Sequence, residues 1–331
     1  MDFSTTLANK QNPDYLKILE YAVKAPSGHN TQPWKFEVYE SCIDVCPDLD
    51  KELPIVDKNH RELYISIGCA VENICIAAGE LGYQHKTSIL EQDSLFFIRI
   101  ELKKSMPVSN PLFLQIDKRQ TNRSVYQSKI ISTDTLAMLQ EIEKDRQVSF
   151  CLYKNGNETF STLADFVYKG NELQYRNLQF KNELLHWIRF NSKQVEKNKD
   201  GLAYNVLGIP SLPDWMANPV VRTFLNPKAQ NKSERKKIES SSHLVLFTVK
   251  DNTPEHWILA GRRLEQFLLK CTELGVSVAF LNQPCEVSSL AKSIGEKLYN
   301  GRGFPVLLLR IGYATPMPYS IRKALDDVII R

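Results

Sequence analysis

Two stretches of this chain repeat one another without a gap. GCAVENICIAAGELG begins at Gly68 and GRRLEQFLLKCTELG at Gly261, so that every matched pair lies 193 positions apart. Gly68/Gly261, Glu72/Glu265, Glu80/Glu273, Leu81/Leu274 and Gly82/Gly275 are identical, and Asn73 faces Gln266. The apolar positions match as well: Val71, Ile74, Cys75, Ala78 and Leu81 against Leu264, Phe267, Leu268, Cys271 and Leu274. That spacing is one face of a helix drawn twice. Two unrelated amphipathic helices converging on a common pattern is the bland explanation. Glycines and glutamates shared at both ends favour a duplication, with two α/β halves packed as an intrachain pseudo-dimer and a ligand cleft between them.

Period and punctuation fill in the halves. YLKILEYAVKA (14–24) has helical spacing and ends at Pro26 and Gly28; WKFEVY (34–39) alternates as a strand. A long apolar helix is expected over 61–83 and a strand over 94–102. In the second half the pattern predicts a helix over 133–144, a strand over 147–153, helices in TFSTLADFVYKGNEL and FKNELLHWIRF, and buried strands at 243–250 and 304–314 flanking a helix at 256–275. From about 191 to 242 the sequence turns rich in Pro, Gly and Asn and then charged, which reads as a lid insertion ending in a polar connector, NKSERKKIESSS. The expected fold class is α+β, with halves at 1–115 and 116–331.

Charge and cysteines exclude several classes. A net charge of +4 over 331 residues, with no basic stripe interleaved with aromatics, gives no reason to expect a nucleic-acid partner. No run approaches the ~18 apolar residues of a membrane span, and the N-terminal stretch has no signal-peptide pattern, so no membrane partner and a cytoplasmic setting are expected. Seven scattered cysteines without a CxxC fit reduced thiols rather than a zinc site.

Two polar stretches carry chemistry. APSGHNTQPW (25–34) gathers Ser27, His29, Asn30 and Gln32, hydroxyls and amides suited to the edge of a heterocycle. KRQTNR (118–123) sets Arg119, Thr121 and Arg123 in one short segment, and guanidinium forks suit phosphate oxygens. Taken alone, the first also reads as a polar turn and the second as a solvated surface. No strand–GxGxxG–helix element is present for a resident dinucleotide.

Together with the long helix RELYISIGCAVENICIAAGELGY and the tail LLLRIGY…RKALDDVI, these stretches resemble the FMN-dependent nitroreductase family over residues 14–331, most closely its fused, single-chain Acg-type members. Asp200-Gly201-Leu202 matches the lid element of that type. The resemblance implies FMN as cofactor, with Arg119, Thr121, Arg123 and Arg322 on its phosphate and ribityl side and Ser27, Asn30 and Gln32 toward the ring. His29 stands in the same segment, and Leu281, Asn282 and Gln283 occupy the segment that passes the ring in the family. It further implies NADH or NADPH as a transient hydride donor, a small-molecule acceptor of nitroaromatic or quinone type, ping-pong transfer at flavin N5 with no catalytic side chain, and a monomeric pseudo-dimer or a homodimer. The alternative it carries is a flavin-sequestering protein, with Trp215 or Tyr204 of the lid plugging the site.

The chain holds only one set of these parts, since the first half lacks an Arg-x-Ser/Thr-x-Arg and the second lacks a PSxxNxQPW. One FMN per chain is the expected stoichiometry. Flavin released by acid from a quantified, FMN-saturated sample checks this, and a ratio near two overturns it.

Overall fold

A computed structural model describes residues 12–142, 146–213, 215 and 225–330. Two sheets flank a pair of long helices. The first sheet contains β1 (Trp34–Val38), β2 (Cys42–Pro47), β3 (Tyr83–Gln92), β4 (Leu95–Lys104) and the short β11 (Ile329–Ile330), in the order β11-β1-β2-β4-β3. The second holds β5 (Val148–Lys154), β8 (His243–Val249), β9 (Ser277–Phe280) and β10 (Phe304–Gly312), antiparallel in the order β5-β8-β10-β9. β6 (Ile188–Arg189) and β7 (Leu202–Ala203) form a separate parallel pair. The helices are α1 (Pro13–Ala22), α2 (Arg61–Glu80), α3 (Thr133–Gln140), α4 (Glu158–Arg176), α5 (Leu178–Trp187), α6 (Ser192–Asn198), α7 (Tyr204–Leu207), α8 (Pro227–Glu239), α9 (Pro254–Glu273), α10 (Gln283–Glu286) and α11 (Ser288–Tyr299). The class is α+β, as expected.

The repeated stretches are α2 and α9, and they cross at their glycines. A Cβ on Gly68 would stand 2.2 Å from the carbonyl oxygen of Ile258, and one on Gly261 would stand 2.0 Å from that of Ile65. Ile65 and Ile258 are themselves 193 positions apart, so the contact is reciprocal under the sequence offset. Cys69 Sγ also reaches the Gly261 carbonyl at 3.2 Å. α2 is buried along nearly its whole length. It is long and apolar enough to cross a membrane, contrary to the expectation that no such run exists, yet 94% of that stretch lies inside the protein.

Local chemistry explains the elements. Pro13 opens α1, and the Asn12 side chain accepts the Asp14 N–H at 3.0 Å. α2 starts at His60 without a side-chain cap of its own. Asp57 supplies one instead, accepting the N–H groups of Glu62 and Leu63 at 3.0 and 2.9 Å. β8 is buried on both faces: Val245, Phe247 and Val249 face the central helices, while Leu244 and Leu246 face α4, α8 and α11. Phe150, Phe247 and Phe267 meet with ring centroids 5.1–5.5 Å apart and join the second sheet to α9.

Three differences from the sequence pattern stand out. β2 and β3 were not expected; β3 is mostly exposed, and its turn into β4 puts Asp93 and Ser94 at φ 51° and 64°, as a tight hairpin requires. The charged stretch NKSERKKIESSS, expected as a connector, lies largely in helix α8, which starts at Pro227 and is capped by Asn226 accepting from Ala229 at 2.9 Å. Finally, β11 leaves the second half and pairs with β1 of the first (Phe36↔Ile329), so the expected division at 115/116 is crossed by the tail.

The two glycines of α2 separate packing from propensity. Gly68→Ala drives a methyl into a backbone carbonyl and is expected to cost at least the ~1–3 kcal/mol of core overpacking. Gly79, whose nearest would-be contact is 3.6 Å away, is expected to gain about 0.5–1 kcal/mol as Ala. Denaturant unfolding of both variants tests this, and a Gly68→Ala protein as stable as wild type removes the close crossing.

Candidate functional site

The helix pair brings four remote segments around one cavity of about 270 Å³. They are the turn after α1 (Lys24, Pro26, Ser27, Asn30), the segment 116–123 (Arg119, Thr121 and Arg123 among them), Phe280 at the end of β9, and the tail (Tyr319, Ser320, Arg322). Thr121 is fixed by a bridge to Val278 of β9, and the Asn122 N–H donates to the Val278 carbonyl at 2.8 Å.

Arg310, a lone cation in the apolar run of β10, anchors the same segment from below. It is 1% exposed, donates to the carbonyls of Asn122 and Ser124 at 3.3 and 2.8 Å, and lies 4.0 Å from the Tyr126 ring centroid. The tail is tied on by Asn122 donating to Thr315 O at 2.8 Å and by the Tyr319 hydroxyl donating to Lys118 O at 3.1 Å.

Three guanidinium groups converge here. Arg119 Nη2 donates to the Lys24 carbonyl at 3.0 Å, and its Nε, without a hydrogen bond, stands 3.6 Å from Glu265. Arg322 donates to Asn30 Oδ1 at 2.7 Å and to Lys24 O at 3.4 Å, and its Nε is buried without a partner. Arg123 makes no hydrogen bond or ion pair among the described residues. Burial pushes Arg123 down to about 10, and burial together with repulsion from Arg119 takes Arg322 to about 9. Crowded, half-desolvated cations of this kind are stabilised by an anion.

Glu265 is a buried carboxyl beside Arg119, with no mark in the sequence that ties it to this cluster. It sits fully buried on α9, where burial pushes it up to about 7 against the pull of Arg119, the Asn73 amide and Arg322. Its repeat partner Glu72 is held differently, by Arg262 Nε at 2.8 Å and Gln266 Nε2 at 2.7 Å.

The turn 27–32 is strained and cross-linked. His29, Asn30 and Gln32 adopt φ of 48°, 58° and 55°, a region that side chains other than glycine occupy at a cost. Asn30 Nδ2 donates to the carbonyls of Gly201 and Ile321, both at 3.1 Å, and Gly201 N–H returns a bond to Asn30 O at 3.1 Å. Gln32, expected toward the ring, does not line this cavity. It is fully buried, donates to Lys199 O at 2.9 Å and accepts from Lys323 N at 2.8 Å. Ser27, which lines the cavity, accepts the Gln32 N–H at 3.0 Å. His29 is half-buried; burial first, then Arg123, pushes its imidazole down to about 4, and its Nε2 has no partner.

Leu281, Asn282 and Gln283 also fall outside this cavity. Leu281 is core. Asn282 is spent on Glu62 Oε1 at 3.2 Å and on the Leu308 N–H at 3.1 Å, and Gln283 backs onto Gly170 of α4. The lid element does approach the site, through its backbone. Arg189 grips Asp200 Oδ1 with Nε and Nη2 at 3.1 and 2.6 Å, which fixes Lys199–Gly201 against Asn30 and Gln32. Of the two aromatic plug candidates, Trp215 is 78% exposed and Tyr204 packs beside Val195, Ala203 and Val206.

The raised Glu265 carboxyl makes stability depend on pH with a definite sign. Between its ordinary 4.5 and about 7 the folded chain keeps a proton that the unfolded chain releases, so stability falls as pH rises through this window. At about 1.4 kcal/mol per pKa unit the loss is on the order of 3 kcal/mol. Glu265→Gln is expected to match wild type near pH 4.5 and to exceed it above pH 7. Urea unfolding across that range reads the difference, and a constant gap at all pH values rejects it.

No protein-family model matches the chain. A Mycobacterium tuberculosis protein provisionally named an NAD(P)H nitroreductase is 23% identical to it, over 94% of this chain and 90% of that one. A probable NAD(P)H nitroreductase of Serratia is 22% identical, over 91% and 89%. Among solved structures, a nitroreductase-like family protein of Bacillus cereus is similar at a TM-score of 0.38 and 16% identity, covering 67% of this chain and 96% of that one. The FMN-dependent nitroreductase NfnB of Mycobacterium smegmatis, in complex with NADPH, gives 0.41 and 12%, over 64% and 94%. Along about nine-tenths of its length the chain is thus similar to curated proteins named as NAD(P)H nitroreductases.

Proposed function

We propose that this chain is an FMN-binding oxidoreductase that takes reducing equivalents from NADH or NADPH and passes them to a small-molecule acceptor of nitroaromatic or quinone type, in a cytoplasmic setting. The observation that carries the reading is the convergence of Arg119, Arg123 and Arg322 on one cavity, with two Nε atoms lacking hydrogen bonds and Arg123 without a hydrogen bond or ion pair among the described residues. The residues fit a phosphate: guanidinium forks, and the Thr121 hydroxyl between them, match its oxygens. The cavity volume falls just under the ~300–1,000 Å³ usual for small-molecule sites. The names of the curated relatives support the choice of nicotinamide donors.

Bound FMN supplies the two-electron chemistry, and the chain supplies its surroundings. Arg119, Arg123 and Arg322 hold the phosphate. Ser27 and Asn30 face it from the other half and orient what lies beyond. His29, neutral at pH 7, offers an unpartnered ring nitrogen beside Arg123. The backbone of Lys199–Gly201, bonded to Asn30 and Gln32, keeps water from that side. The same closure favours a second reading, a protein that holds flavin away from acceptors and turns over little.

A visible spectrum of the FMN-saturated protein, followed by NADPH, separates the readings. Rapid bleaching supports the reductase; a yellow protein that only dithionite bleaches supports sequestration. In the same titration Arg123→Ala, which removes about 1.5–3 kcal/mol of charge-assisted bonding, is expected to weaken FMN roughly ten- to hundredfold with the fold intact. A protein that stays colourless with added FMN, or an unchanged affinity in the variant, overturns the assignment.

A further inference from the structure

The strip Lys199–Gly201 has a second side. Beyond it lies an open cleft of about 670 Å³, within the range of small-molecule sites. Trp187 lines it, together with four cationic side chains, Lys51, Arg189, Lys193 and Lys197, and one carboxylate, Asp200. That carboxylate is already engaged, by Arg189 at 2.6 Å and by Lys51 at 3.5 Å. Lys193 and Lys197 stand one turn apart on α6, exposed, with no acidic partner within 4 Å among the described residues. Like charges at this spacing repel one another, and a concave wall focuses their field on whatever enters.

We propose that this cleft binds a phosphomonoester dianion, with Lys193 and Lys197 as its principal contacts. Two unpaired lysines on one helix face match a doubly charged group better than a single carboxylate, and the compact ammonium acts on phosphate as a point charge. The dianion has two sources. One is a phosphorylated organic ligand, above all the 2′-phosphoadenosine end of NADPH; the other is free phosphate. Naming the dinucleotide rests on the reading of the chain as an NAD(P)H oxidoreductase, whereas the anion site does not.

Calorimetric titration of the FMN-saturated protein with 2′,5′-ADP, 5′-AMP and inorganic phosphate tests the site while the arginine cavity is filled. Binding of 2′,5′-ADP is expected, weakened about tenfold or more by Lys193→Ala with Lys197→Ala, with melting temperature and flavin spectrum unchanged. Tighter binding of 2′,5′-ADP than of phosphate assigns the site to the organic ligand, and equal binding assigns it to free phosphate. No binding by any probe, or the same affinity in the double variant, overturns the proposal. Should the protein take up no FMN, the visible spectrum reports that failure separately, and the same titration on the flavin-free protein still decides the cleft.

Discussion

The structure depends on a place where two helices touch backbone to backbone. Gly68 and Gly261 leave no room for a side chain between α2 and α9, and that approach fixes the distance between the two sheets and the depth of everything built at their junction. Close packing of this sort transmits position rigidly. The turn after α1, the arginine segment and the tail all converge on a seam whose width two missing methyl groups determine.

The repeat is symmetric in its apolar face and asymmetric in its charges. Glu72 finds its cation on the facing helix, in Arg262, and becomes an internal tie. Glu265, at the matching position, finds Arg119, which itself lines the cavity. One scaffold position thus serves as a brace on one side and as part of a charged cluster on the other. The difference lies in which cation each carboxylate meets, a facing-helix arginine for Glu72 and the 116–123 segment's Arg119 for Glu265.

The sequence made the long elements legible because their signals are strong: two helices with an identical stripe, and strands such as β8 whose every residue is apolar or buried. β3 was hidden because one face is solvated and its residues are polar; α8 was hidden because a helix held mainly through Ile238 has almost no apolar stripe to read. At the candidate site, the residue types of APSGHNTQPW and KRQTNR identified the two walls. They did not separate residues facing the cavity from residues that brace it. Gln32 and Asn30 differ by two positions, share the same chemistry and are both bonded to the lid and the tail, yet only Asn30 also lines the space. That distinction depends on partners more than 160 residues away. Arg310 was readable as a lone charge in an apolar strand, and Glu265 as a carboxylate on a buried face, but neither announces its partner.

The bonds around the cavity join residues that stand very far apart along the chain: Arg322 to Lys24 and Asn30, Asn30 to Gly201, Arg119 to Lys24. Each closes a long loop, which costs entropy before any contact repays it. An occupant held by Arg119, Arg322 and Asn30 together would therefore be a clasp as well as a cargo, its binding free energy adding to the stability of both halves rather than of one loop. Fold and occupancy would then be a single equilibrium.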